Sequence, residues 1–277
     1  VDNGILKAGN PAPVVDLLDD RFPNGRIFLL YNTATTSESD ARKGTGVREI
    51  WYITSTDNGK TWSHPANITT SVHRPLAPPY NVAYNFTEDW RTNSLTPGHA
   101  LQLIRGKNKG RIFVAANHAG GNRLEKENAE TNMAHCFYSD DHGDTWKLGA
   151  TVEMPGGNES TAAELEDGSV LQNIRYKSPV DKYRVLAFSK NGGESWDTAY
   201  VCKELPDPVC EGSMISFNYK GDHFVLFCNA ASQTKREKLT IRVSKDNGRS
   251  WPVSLLIDNG DAAYSDIVML KTKSIGV

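Results

Sequence analysis

Short apolar runs, each ended after a few residues by Gly, Asn, Asp or Ser, recur along the whole chain. No stretch carries a helical period of useful length, and the runs suit half-buried strands. Their order repeats. A first run ("APVVDLL", "HALQLI", "STAAELE", "SMISFN") precedes one that opens on glycine ("GRIFLLYN", "GRIFVAAN", "GSVLQNIR", "GDHFVLFCN"). A third ("EIWYITS", "MAHCFYS", "YRVLAFS", "LTIRVS") leads into an octamer that barely changes: "STDNGKTW", "SDDHGDTW", "SKNGGESW" and "SKDNGRSW". A fourth run, such as "PVSLLID", follows. This is four strands per unit, A to D, with the octamer at the C–D hairpin tip. Repeated four-stranded antiparallel units predict an all-β fold built of β-propeller blades. Four full units are legible, plus the start of another at "YSDIVML".

The octamer has the chemistry of a turn. Asp57, Asp141, Asn191 and Asp246 can bond nearby backbone N–H groups, and Gly59, Gly143, Gly193 and Gly248 supply left-handed backbone. Each terminal Trp is expected to pack over its turn. Because the octamers mark one rim, A starts, B ends and B–C loops must lie at the other. Loops at one mouth of a rigid β scaffold are where a site is expected. Glu159 stands at an A start, Arg175 closes a B strand, Arg236 lies in a B–C loop and Tyr264 opens the A strand of the last partial unit. Arg242, two residues from Ser244, belongs near the octamer rim, which leaves Arg236 the better candidate. Glu164 is the runner-up carboxylate but lies deeper in its strand. His99, His118 and Arg48 also map near the functional rim.

Composition narrows the classes. The 277 residues are 38% hydrophobic and 23% charged, which predicts a folded chain. A net charge of −2 argues against a nucleic-acid binder, and no run is long enough for a membrane helix. The four cysteines are not spaced for a metal. Cys202 and Cys210 could close a small disulfide loop or remain buried thiols. Sequons occur at Asn67, Asn85 and Asn158; a glycan at Asn158 would block the cleft beside Glu159.

These octamers resemble the Asp boxes (BNR repeats) of the sialidase, or neuraminidase, superfamily, whose fold is a six-bladed propeller. The box alone implies fold, since non-enzymatic propellers carry it too. Further segments resemble exo-sialidases motif by motif. "NES…AAEL…LQNIR" is similar to the stretch with the family's glutamate and second arginine, implying Glu159 and Arg175. "NAASQTKREKLTIRVSKDNGRSWPVS" is similar to that with the third arginine, implying Arg236. "AAYSDIVML" resembles the segment of the nucleophilic tyrosine, implying Tyr264. The resemblance begins at the family's second blade. Residues 1–277 are therefore expected to be a single partial domain, about four complete blades plus part of another. The first arginine and the acid/base aspartate of blade one, and the acidic residue after the tyrosine segment, are expected to lie outside the chain, which would leave it weakly active or inactive on its own.

The implied reaction is removal of terminal sialic acids from glycoproteins, glycolipids and oligosaccharides. Sialic acid carries a carboxylate on its anomeric carbon, so an anionic nucleophile meets like-charge repulsion. A neutral tyrosine avoids it if a carboxylate takes its proton, and sialidases are the glycosidases that use one. Arginine forks match the substrate carboxylate. The mechanism needs no cofactor and no metal. Alternatives are a trans-sialidase, a propeller that binds sialic acid without chemistry, and a receptor propeller sharing only the boxes. The sequence leaves localisation open; sialylated substrates favour the outside of the cell or a lysosome.

Overall fold

The computed structural model describes residues 7–34, 36–43, 46–75, 90–120 and 132–277. Four antiparallel sheets follow one another along the chain. The first joins β1 (Lys7–Asp16), β2 (Arg26–Ala34), β3 (Arg48–Ser55) and β4 (Ala66–Asn67) in chain order. The second holds β5 (Trp90–Leu95), β6 (Leu101–Gln102), β7 (Ile112–Gly120), β8 (Asn132–Ser139) and β9 (Lys147–Thr151). The third is β10 (Gly157–Glu164), β11 (Val170–Tyr176), β12 (Tyr183–Ser189) and β13 (Thr198–Pro206). The fourth is β14 (Gly212–Tyr219), β15 (Asp222–Ala230), β16 (Glu237–Ser244) and β17 (Val253–Asp261). A small hairpin, β18 (Val268–Met269) with β19 (Ile275–Gly276), comes last. The helices α1 (Glu38–Arg42) and α2 (Thr69–Val72) are single turns, so the all-β expectation holds. Among the described residues no helix is long and apolar enough to cross a membrane.

The sheets are propeller blades packed face to face. Phe28, Leu30 and Ile50 of the first meet Ile112, Val114 and Phe137 of the second. Leu103, Phe113 and Cys136 of the second meet Ala162 and Val170 of the third. Ala163, Leu171 and Leu186 of the third meet Met214, Val225 and Phe227 of the fourth. The alternation of each strand thus feeds two interfaces rather than one core and one wet face.

Each octamer forms the C–D tip, as expected, but its bonding is richer than the aspartate alone predicted. The Ser55 hydroxyl donates to Asp57 at 2.8 Å and accepts the Gly59 N–H at 2.9 Å, while Asp57 accepts the Thr61 N–H at 2.9 Å and its hydroxyl at 2.6 Å. The same pattern recurs at Ser139, Ser189 and Ser244. The four box glycines have φ of 82°, 86°, 92° and 79°, left-handed values that favour glycine. The tryptophans correct one expectation. Trp62 does bond its own turn, at Gly59 O. Trp251 also lies over its turn, 3.7 Å from where a Cβ on Gly248 would stand, while meeting Phe227 in the third–fourth blade core; Trp146 instead lies edge-on to Phe28 across the first interface. They pack between or within blades because that is where a large apolar ring loses most water.

A second correction concerns the inner strand of the second blade. "HALQLI" contributes only the two-residue β6, which pairs with one end of β7. Most of the inner strand is β5, on the other end of β7, and the two are separated at Pro97 and Gly98, where φ is 127°. The polar "RTNS" stretch hid this strand, yet all six residues of β5 are buried. All four cysteines are free and buried, so Cys202 and Cys210 are thiols.

Candidate active site

Three of the residues singled out from the sequence meet at the rim opposite the Asp boxes. Glu159 sits near the start of β10, where the ladder with β11 slips between Gly157 and Ser160. Such a bulge re-aims the side chains it frees. Arg175 is near the end of β11. Tyr264 arrives from far along the chain, in an irregular stretch after β17 rather than opening a strand. That stretch is pinned to the fourth blade: Ala262 N–H donates to Arg236 O at 2.9 Å, Ser265 N–H to Glu211 at 3.1 Å and Ile267 N–H to Ser213 Oγ at 3.1 Å.

The Tyr264 hydroxyl donates to both oxygens of Glu159, at 2.7 and 2.9 Å. Arg175 pairs with Glu159 and also donates to the tyrosine oxygen at 3.1 Å. Burial, then the hydrogen bond and charge of Glu159, push the Tyr264 pKa well above that of a free phenol. Burial also works against the charge on Arg175, but its pairing with Glu159 outweighs this and the net shift is upward. The phenol therefore keeps its proton until a reaction draws it off, and the carboxylate that can accept it is already in hydrogen-bond contact.

These three side chains line a polar cavity of about 250 Å³. Arg48, Ser94, Asn117, Asn158 and Lys177 complete much of its wall. Arg48 bonds Ser94 and lies 3.6 Å from Glu38, another wall residue. Asn158 Nδ2 donates to Asn117 at 3.1 Å and the residue is buried, so this sequon faces the cavity. The Asn85 sequon lies outside the described residues. Lys177, Ser94 and Asn117 were missed in the sequence. Lys177 lies two residues beyond Arg175, just past the end of β11, and that spacing is the signal that could have found it.

Arg236 is placed differently from Arg175. Its guanidinium lies 5.7 Å from the centre of the Tyr264 ring, on an exposed loop, and it is not among the cavity's lining residues. Arg242 pairs across β16 with Phe227 and Ser254, away from the cavity. Glu164 is buried elsewhere, accepting the Ile104 and Arg105 N–H groups, so it ties the second blade to the third. His99 joins Asp266 at 2.7 Å, and His118 is buried against Trp90 behind the wall. Among the described residues, the carboxylate–histidine group Asp16, Asp19 and His142 has the proximity of a metal site. Arg21, Arg26 and Gln102 already bond its carboxylates, which fits an ion-pair network.

The family model for the BNR repeat-like domain matches residues 1–277. A sialidase of Micromonospora viridifaciens is 35% identical over 81% of this chain and 32% of its own length. Sialidase-2 of Cricetulus griseus is 28% identical over 87% of this chain and 62% of its own. A Hadza microbial sialidase of known structure superposes with a TM-score of 0.78 at 25% identity, covering 98% of this chain and 50% of that one. The chain thus spans between about a third and two thirds of these relatives. Matched along its whole length and built of Asp-box blades, the chain belongs to the BNR repeat-like domain family, within the sialidase superfamily.

Proposed function

We propose that this chain carries the nucleophile side of an exo-α-sialidase site, acting on terminal sialic acids of glycoproteins, glycolipids and oligosaccharides. The observation that carries this reading is the Tyr264 hydroxyl donating to both oxygens of Glu159. Tyr264 Oη attacks the anomeric carbon as its proton passes to Glu159. The bond to the departing glycan oxygen breaks, and that oxygen takes a proton from a general acid on the far side, which the family resemblance puts in a preceding blade. The far-side group, now a base, then takes a proton from water as water attacks the anomeric carbon on the face the glycan left; the tyrosyl–sugar bond breaks, Tyr264 Oη recovers its proton from Glu159, and the configuration is retained.

Arg175 is the substrate-carboxylate ligand of this reading. Its guanidinium lies beside both reacting groups and stays charged. Arg236, whose guanidinium lies 5.7 Å from the centre of the tyrosine ring, is the other arginine of this reading for the substrate carboxylate. The cavity wall supports an anionic ligand: Arg48, Arg175 and Lys177 face Glu38 and Glu159, a surplus of positive charge despite the chain's acidic balance.

The test is turnover of a fluorogenic sialoside by the product of the complete reading frame, beside its Tyr264→Phe variant. Turnover in the parent with near-total loss in the variant is expected. A folded parent that binds sialic acid but turns over no sialoside across pH would replace hydrolysis with a sialic-acid-binding propeller.

A further inference from the structure

The mechanism above uses Tyr264 and Glu159 but leaves a third carboxyl unexplained. Glu211 precedes β14 and is 2% exposed. One oxygen accepts the N–H of Ser265, the residue after the tyrosine, at 3.1 Å. The carboxyl also borders a second cavity, of about 230 Å³, whose wall includes Gly98, Asp266 and the other side of Tyr264. A Cβ at Gly98 would stand 3.7 Å from Glu211 Oε1, so the turn between β5 and β6 closes directly over the carboxyl.

Glu211 is itself held from below. Arg184, fully buried, donates to the carbonyl of Cys210 at 2.6 Å and to Asn173 Oδ1 at 2.7 Å, and lies 3.5 Å from Asp207. The chain therefore runs from a buried guanidinium, through Cys210 and Glu211, to the main chain at Ser265. The residue at its end is the neighbour of Tyr264. No strand ladder orders residues 262–267; one main-chain bond, Ala262 N–H to Arg236 O, and the side-chain bonds from Glu211 and Ser213 set the path of the segment.

We propose that Glu211 is a positioning residue for this site: by gripping the main chain at Ser265 it sets the angle at which the Tyr264 hydroxyl meets Glu159. The proposal rests on the sialidase reading of Tyr264 and Glu159. A neutral carboxyl still makes the grip, because its carbonyl oxygen accepts the N–H, though less strongly than a carboxylate would. The surroundings favour that form. Burial raises the Glu211 pKa to about 8, outweighing the Ser265 N–H bond and the charge of Arg184, which pull it down, while Glu159 and Asp266 add to the rise. Asp266 is in turn paired with His99. Ionisation above that pH sets a further negative charge behind the nucleophile and beside an anionic substrate.

The experiment compares Glu211→Gln and Glu211→Ala in the complete reading frame's product. Gln keeps an acceptor for Ser265 and cannot ionise; Ala does neither. Displacing a reacting group by about 1 Å costs on the order of 10²-fold. Glu211→Ala should thus lower kcat by about 10- to 100-fold with KM changed less than about threefold. Glu211→Gln should keep the parent's kcat near pH 6 and lose an alkaline limb in kcat/KM near pH 8. A readout independent of turnover is the fluorine resonance of 4-fluorophenylalanine placed at position 264. It should move with a midpoint near pH 8 in the parent background and stay flat with Glu211→Gln. Parental kcat in a folded Glu211→Ala protein would overturn the proposal. So would a fluorine resonance that titrates alike with and without Glu211. If Glu211→Ala does not fold, the Gln variant and the fluorine titration decide. An inactive parent with the expected fluorine titration would sink the sialidase reading while leaving the grip on residue 264 in place. A purely structural Glu211 would change the melting temperature and leave both the alkaline limb and the titration where they were.

Discussion

Acid should weaken this protein through three buried histidines behind the cavity wall. His73, His118 and His135 are each at most 5% exposed. His118 stacks on Trp90, ring centroids 3.6 Å apart, and its Nδ1 lies 3.1 Å from Nδ1 of His135. One of that pair donates and the other accepts, an arrangement that a proton on both would destroy. Burial first, and for His135 then the charges of His73 and Arg74, lower His73 and His135 to about 3; His118 also falls well below its ordinary value. The folded form thus refuses protons that the unfolded chain accepts near pH 6.5. Stability from these groups is complete above pH 6.5 and is lost as pH falls from there toward 3. Each pH unit in that window costs about 1.4 kcal/mol per histidine. Between pH 6.5 and 5, His73 and His135 together therefore remove at most about 4 kcal/mol, against the 5–15 kcal/mol typical of a domain. The assay is urea unfolding of parent and His73→Asn across that range. Asn preserves an acceptor for the Arg74 N–H, which His73 Nδ1 accepts at 2.9 Å. The variant's stability should fall less steeply, by about 1.4 kcal/mol per pH unit. Parallel slopes would refute the reasoning. The consequence reaches function, because Asn117, next to His118 on β7, lines the cavity. It also separates the two locations that the substrate class suggested: an extracellular protein sits on the plateau, a lysosomal one on the slope.

Other outcomes follow from single contacts. Arg175→Lys should raise KM for a sialoside by about tenfold or more, because an ammonium cannot offer a planar fork to a carboxylate; an unchanged KM in steady-state kinetics would remove Arg175 from substrate binding. Gly248→Ala should cost about 2–3 kcal/mol in urea unfolding, since φ is 79° and the new Cβ would lie 2.3 Å from Leu171 Cδ2; a cost below 0.5 kcal/mol would show that the box relaxes. All four thiols are buried, and burial raises the Cys228 pKa to about 11. An aromatic disulfide reagent should therefore release four equivalents only after denaturation, and rapid labelling of the native chain would contradict the packing.

The blades were legible because their punctuation is local. Ser, Asp or Asn, Gly and Trp occupy one turn, and the turn bonds within itself, so each copy states its own structure. Strand direction puts Glu159 and Arg175 at one rim, while Tyr264 reaches it from an irregular stretch and Arg236 stands beside its ring outside the cavity lining. Three kinds of feature were not legible. The inner strand of the second blade reads as polar because Asn32 of the neighbouring blade bonds its main chain: Leu95 N–H donates to Asn32 Oδ1 at 2.8 Å, and Asn32 Nδ2 donates to Asn93 O at 3.2 Å. Burial there is satisfied across a blade interface, which no period along one strand reveals. The second is the job of the tryptophans, whose partners Phe28 and Phe227 are contributed by different parts of the sequence.

Glu211 is the third, and it explains why a site can be half visible. In the sequence "DPVCEGSM" it is one acid before a strand, with no repeat and no partner nearby. Its meaning comes from Ser265, 54 positions on, and from Gly98, which lets a turn of another blade lie against it. Groups that touch substrate must reach the rim, and strand direction tells where the rim is. Groups that hold the reacting residues in place sit deeper, where blades converge, and their partners come from separate repeats. Strand direction therefore finds chemistry more readily than it finds the scaffold that aims it, and Glu211→Gln against Glu211→Ala measures that difference directly.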